Sequence, residues 1–120
     1  MYQENVVLCG ASAYEQKYYF NQDFASLPET IKQELQVMCV LYTEDVGGIL
    51  TLEFDENGNL QFKTEATDSD FRYDEIGSVL KIKQLQSEKR ELRESLEMYY
   101  RVFFLGEDME ESVEHVDNEE

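Results

Sequence analysis

After Gly77 no Gly or Pro occurs until Gly106, and apolar residues recur at spacings of three and four, so the pattern predicts a helix over residues 73–105. At 1.5 Å per residue such a helix is roughly 48 Å long. A chain of 120 residues is one domain's worth, about 35 Å across when compact. The helix therefore overhangs its own domain. Its seam follows a partial heptad: Leu85, Leu92 and Tyr99 in one position, Ile82, Leu96 and Phe103 in the other, with Lys89 in the missing slot. Between Leu85 and Leu92 every residue is polar. Opposite charges at Arg90/Glu94, Arg93/Glu97 and Glu97/Arg101 suit a solvated middle with packed ends. An overhanging apolar seam needs cover, and two-fold dimers are the commonest assembly, so the expectation is a homodimer formed through the long helix.

The first seventy residues carry two other periods. Residues 5–9 and 14–20 are β-favouring runs joined by Gly10-Ala11-Ser12-Ala13, and Tyr18 and Phe20 share one face of the second. Ser26-Leu27-Pro28-Glu29 reads as a helix start with Ser26 as its cap. Leu27, Ile31, Leu35, Met38 and Tyr42 then line one helical face, which ends before Gly47-Gly48. Next, Leu50, Leu52 and Phe54 alternate with polar residues, as do Leu60, Phe62 and Thr64. A two-residue turn at Asn57-Gly58 would set Phe54 opposite Gln61. A three-residue loop, Glu56-Asn57-Gly58, pairs Phe54 with Leu60 and Leu52 with Phe62, keeping apolar residues on one face. Residues 67–73 are a polar connection, and Asp74-Glu75 places negative charge at the start of the long helix. The predicted fold is α+β in the order β-β-α-β-β-α, with an antiparallel sheet of about four strands packed by a short helix and the long C-terminal one.

Apolar residues make up 42% and aromatics 12% of the chain, enough for a folded core despite a net charge of −17. That charge repels polyanions, so neither nucleic acid nor an anionic membrane is an expected partner. The acidity is unevenly spread: residues 107–120 hold eight carboxylates and no Lys or Arg, the composition of a disordered acidic tail. Residues 1–106 form the single domain. No basic, apolar leader opens the sequence, and the apolar run Val37 to Tyr42 is far shorter than the ~18–20 residues of a membrane span. Cys9 and Cys39 read as small buried hydrophobes. The expected location is cytoplasmic.

Chemistry-bearing patterns are scarce. His115, the sole histidine, lies in the acidic tail, which excludes a Ser-His-Asp or Cys-His arrangement held in a pocket. Two distant cysteines and that histidine cannot furnish a zinc site. Asp68, Asp70 and Asp74 suggest a calcium loop, but Arg72, Tyr73 and Val79 stand where its further ligand, glycine and bidentate Glu belong. Loose divalent-ion binding by Glu107, Asp108, Glu110 and Glu111 would be unselective. Gly47-Gly48 precedes a strand, whereas phosphate-cradling loops follow one and open a helix. Glu53 and Asp55 share a solvent-facing strand side. No catalytic residue, cofactor or metal is expected, and the chain does not read as an enzyme.

The runs Val6-Val7-Leu8-Cys9-Gly10-Ala11-Ser12, Val46-Gly47-Gly48-Ile49-Leu50-Thr51-Leu52, Asp74-Glu75-Ile76-Gly77-Ser78-Val79-Leu80-Lys81-Ile82 and Tyr99-Tyr100-Arg101-Val102-Phe103-Phe104-Leu105-Gly106 resemble a family of short uncharacterised proteins from clostridial Gram-positive bacteria. The similarity covers about residues 4 to 110. It implies a bacterial cytosolic source and offers no site residue to carry over. Adjacent aromatics near Tyr18-Tyr19 and Tyr99-Tyr100 point to different faces, as a second layer of the core or as a contact surface. The leading reading is a non-catalytic protein–protein interaction or regulatory module acting as a homodimer. Its candidate interface is Tyr18, Tyr19, Leu85, Leu92, Leu96, Tyr99, Tyr100 and Phe103. The alternatives are an acidic partner that masks a basic protein, in the manner of a chaperone, immunity protein or nucleic-acid mimic, and a small-molecule-binding domain with a pocket between sheet and helix.

Overall fold

The computed structural model describes residues 5–107, so the acidic segment, Glu107 apart, lies outside the described residues. The chain runs β1 (Val6–Ser12), β2 (Lys17–Phe20), α1 (Glu29–Val46), β3 (Ile49–Phe54), β4 (Leu60–Glu65), α2 (Glu75–Glu88) and α3 (Arg90–Phe103), with a short 3-10 turn at Gln22–Phe24. The fold is α+β, as the sequence pattern predicts, with one more helix. Its four strands are antiparallel in the order β2-β1-β3-β4.

The β3–β4 hairpin has the register that its alternation demands. Phe54 faces Leu60 and Leu52 faces Phe62. Asp55 and Asn59 close the three-residue loop through Asp55 N–H to Asn59 C=O, 2.9 Å, and Gly58 takes the left-handed conformation at φ 85°. Along β3, Leu50, Leu52 and Phe54 are buried while Ile49, Thr51 and Glu53 are partly exposed. One face of the sheet thus meets the helices.

The first hairpin differs from its predicted form. Gly10, Ala11 and Ser12 belong to β1, and the turn lies over residues 13–16, with Gln16 at φ 53°. The reason is the central position of β1: Gly10 pairs with Tyr19 on one side and Thr51 on the other. A Cβ there would come within 2.9 Å of the Leu50 carbonyl oxygen, so the glycine serves close strand packing rather than chain reversal.

Helix α1 buries Leu35, Met38, Cys39, Tyr42, Thr43 and Val46 against the sheet. It begins after Pro28, whose fixed φ suits a helix entry, and has no side-chain cap. Ser26, expected as that cap, instead hydrogen-bonds the Tyr99 hydroxyl at 2.6 Å. The core formed by Leu8, Phe24, Leu35, Tyr42, Leu50, Leu52 and Phe54 has no measurable exposure.

The predicted continuous helix over 73–105 is two helices meeting at Lys89, whose backbone stands at φ −104°, ψ 30°. The break falls within the polar run between Leu85 and Leu92. No apolar side chain there rewards a straight path, and the turn lets α2 lie against α1 while α3 packs over the β3–β4 end of the sheet. The Lys89 ammonium fastens the joint to Glu34 of α1 at 2.9 Å. Asp74 caps α2, accepting the Gly77 N–H at 2.9 Å.

Candidate functional site

A cleft of about 720 Å³ lies at the C-terminal end of α1 between Tyr14, Gly47, Gly48 and the 67–73 connection. Several of its polar groups engage one another. Tyr14 donates its hydroxyl to Asp70 at 2.5 Å and accepts the Thr67 N–H at 3.1 Å, while the Arg72 N–H meets the other Asp70 oxygen at 3.0 Å. The Tyr14 hydrogen bond, more than the backbone donor, holds the Asp70 carboxyl below its ordinary range. Behind the cleft, Tyr73 donates to Ser78 Oγ at 2.7 Å, and Ser78 shares a 2.5 Å hydrogen bond with Tyr42. Burial pushes the Tyr42 phenol up to about 12. These contacts dock the 67–73 connection and the start of α2.

Asp70 and Asp74 are thus engaged locally. Among the described residues, no group of three or more His, Cys, Asp or Glu side chains is gathered to hold a metal ion. Cys9 Sγ and Cys39 Sγ lie 3.9 Å apart, both fully buried and unbridged. The hydrogen bond to Cys9, followed by burial, pushes the Cys39 thiol far up, and a thiol held neutral is a poor nucleophile. The Tyr18 hydroxyl is buried near Cys9 and has no hydrogen-bond partner among the described residues. Burial raises that phenol strongly too.

The sequence-derived interface residues divide into three groups. Leu85, Leu92, Leu96 and Tyr100 are buried in the chain's own core. Tyr18 and Tyr99 are half-buried against it, whereas Tyr19 on β2 and Phe103 at the end of α3 remain exposed. Phe24 packs into the late aromatic cluster. Phe54 and Tyr100 stack at 4.2 Å, Tyr100 and Phe104 at 5.1 Å, and Phe104 and Phe24 at 4.6 Å. Tyr99 and Phe103 flank this stack, 4.8 Å apart.

A different apolar face stays open. On α2, Ile76, Val79 and Leu80 are 76%, 55% and 62% exposed, although their spacing of three and four puts them on one side of the helix. The opposite side, Ser78, Ile82 and Leu85, faces the fold. The charge here is unlike the rest of the chain. Between Ile76 and Arg93 lie half of the ten Lys and Arg residues and only two of the 27 carboxylates. Lys81 and Lys89 turn toward α1, pairing with Asp45 at 3.6 Å and Glu34 at 2.9 Å. Lys83 is exposed and has no ion-pair partner among the described residues. An exposed aliphatic cluster beside an unpaired cation is an arrangement suited to contact.

Residues 5–108 match the model of a "Family of unknown function (DUF6145)". The chain belongs to this family. No curated protein and no solved structure matches the chain. For this member of the family, no helix of the described residues is long and apolar enough to cross a membrane.

Proposed function

We propose that the chain is a non-catalytic protein–protein interaction module that works as a homodimer, with the outward face of α2 as its contact surface. The setting implied by the family resemblance is the cytoplasm of a clostridial bacterium. The observation that carries the reading is the exposure of Ile76, Val79 and Leu80 together on one helical face. Helix–helix pairing, expected from the seam through Leu85, Leu92 and Leu96, passes to the opposite side of α2, because that seam is covered by the chain's own sheet and α1. Self-association must overcome the repulsion of two strongly acidic chains, and α2, with Glu75 and Glu88 against Lys81 and Lys83, adds no net charge of its own.

Sedimentation velocity across a wide range of protein concentration tests this. The wild-type chain shifts from monomer to dimer as concentration rises, while Leu80→Glu stays monomeric with an unchanged circular dichroism spectrum. A wild-type monomer at every concentration overturns the proposal.

A further inference from the structure

Resting on the homodimer reading, we infer that the two copies meet with α2 antiparallel to its mate, about a two-fold axis beside Val79, so that Glu75 of each copy lies against Lys83 of the other. The outward face of α2 is self-complementary. Glu75 precedes Val79 by four residues and Lys83 follows it by four, so each charge stands about 6 Å along the helix from Val79. Both side chains are exposed, and neither has an ion-pair partner among the described residues. A two-fold axis perpendicular to the helix carries Glu75 to the level of the second copy's Lys83, and Lys83 to the level of its Glu75. Val79 meets its own copy at the axis, with Ile76 and Leu80 packing to either side.

A parallel pair is disfavoured by the same residues. It would set Lys83 beside Lys83 and Glu75 beside Glu75, and like charges brought together across an interface are costly. It would also align the two helix dipoles, which antiparallel packing opposes head to tail. The closed, isologous contact ends at two copies and needs no other surface. Lys83 can lay its aliphatic stem over the second copy's Ile76 while its ammonium reaches the acidic flank.

The size of the face sets the strength. Three aliphatic side chains are far less than the roughly 800 Å² per partner of a standard interface, so the dimer is a weak one that forms at micromolar concentrations or above.

A charge-exchange series on the full chain tests the geometry by sedimentation, with circular dichroism as the check on folding. Glu75→Lys and Lys83→Glu should each weaken dimerisation by about threefold or more, and the double variant should return to within about twofold of wild type. Independently, Val79→Cys should form a disulfide-linked dimer under oxidised glutathione, and Phe103→Cys should not; Cys9 and Cys39 are buried and give little background. Single variants that dimerise like wild type, or a double variant weaker than both, overturn the antiparallel arrangement while leaving the homodimer standing. A wild-type chain that never dimerises overturns both.

Discussion

Helices α2 and α3 are both 14 residues long and are cut from one stretch of sequence without an internal breaker after Gly77, yet they attach to the fold by different means. α3 buries Leu92, Leu96 and Tyr100 and reaches the sheet with a carboxylate: Glu97 accepts the Leu60 N–H at 2.8 Å, satisfying the first donor of β4. Arg101 then grips the hairpin turn through the Asn57 carbonyl at 3.2 Å and the Asn59 side chain at 2.6 Å. α2 attaches largely through hydroxyls, Ser78 with Tyr42 and Tyr73, and through Leu85. Ile82 packs against the core as well, whereas Ile76, Val79 and Leu80 point outward. The difference shows that docking, more than composition, decides which side of a helix is left for a partner. α3 closes the fold, and α2 is held by Ser78, Ile82 and Leu85 on one side, which leaves Ile76, Val79 and Leu80 free on the other.

The comparison is broken most forcefully at Tyr100. Its ring is 3% exposed and stacks on Phe54 and Phe104, so Tyr100→Ala leaves a cavity at the junction of α3 and the sheet. The expected loss is about 3–5 kcal/mol of stability. Leu80→Ala, on the outward face of α2, should change stability by no more than about 0.5 kcal/mol. Urea unfolding monitored by circular dichroism compares them. Equal losses would mean that α2 packs as tightly as α3 and that its apolar face is not free.

Ser78→Ala probes the other attachment. Removing Oγ leaves the fully buried Tyr42 hydroxyl and the Tyr73 hydroxyl without their shared partner, at a cost of about 1–3 kcal/mol. The damage should be local to α2. Hydrogen exchange would show faster amides in α2 with α3 still protected, whereas uniform acceleration of both helices would show that they unfold as one unit.

Much of this architecture is legible from periodicity alone. The β3–β4 register follows from keeping Leu50, Leu52 and Phe54 on one face, since a one-residue slip would turn every apolar side chain to water. The inward face of α1 follows from Leu35, Met38 and Tyr42. The break at Lys89 is not legible in the same way, because Glu88-Lys89-Arg90-Glu91 are good helix formers and the turn is imposed by what α2 and α3 pack against. Only the lapse of the seam between Leu85 and Leu92 marks it. The outward face of α2 is hidden by a related ambiguity. α2 carries two stripes at helical spacing, Ile82 and Leu85 on one side, Ile76, Val79 and Leu80 on the other, and spacing alone does not say which turns inward. The buried role of Glu97 had no sequence signal, since its spacing to Arg93 and Arg101 reads equally well as a surface pair.

Acid gives the finest separation of the two attachments. Burial pulls the Asp55 carboxyl upward, but the Asn59 and Asn57 N–H groups and the Gln61 and Asn59 side chains outweigh it, and the group is held below its ordinary 3.8. A carboxyl lowered in the folded state contributes stability above its unfolded pKa and loses it as pH falls through the folded value. The turn gripped by Arg101 should therefore loosen as pH drops below about 3.8. Asp70, also lowered, chiefly by Tyr14, predicts the same for the connection leading into α2. The hydroxyl network of Tyr42, Ser78 and Tyr73 involves no carboxylate and should hold. Amide exchange at Asn57, Asn59 and Arg72, whose N–H groups donate to these carboxylates, should accelerate as pH falls below about 3.8 after correction for the intrinsic rate, while the interior of α2 keeps its protection. Unchanged exchange at all three amides would show that the turn and the connection are held by backbone pairing alone, and that Arg101 grips a turn already rigid without its carboxylate.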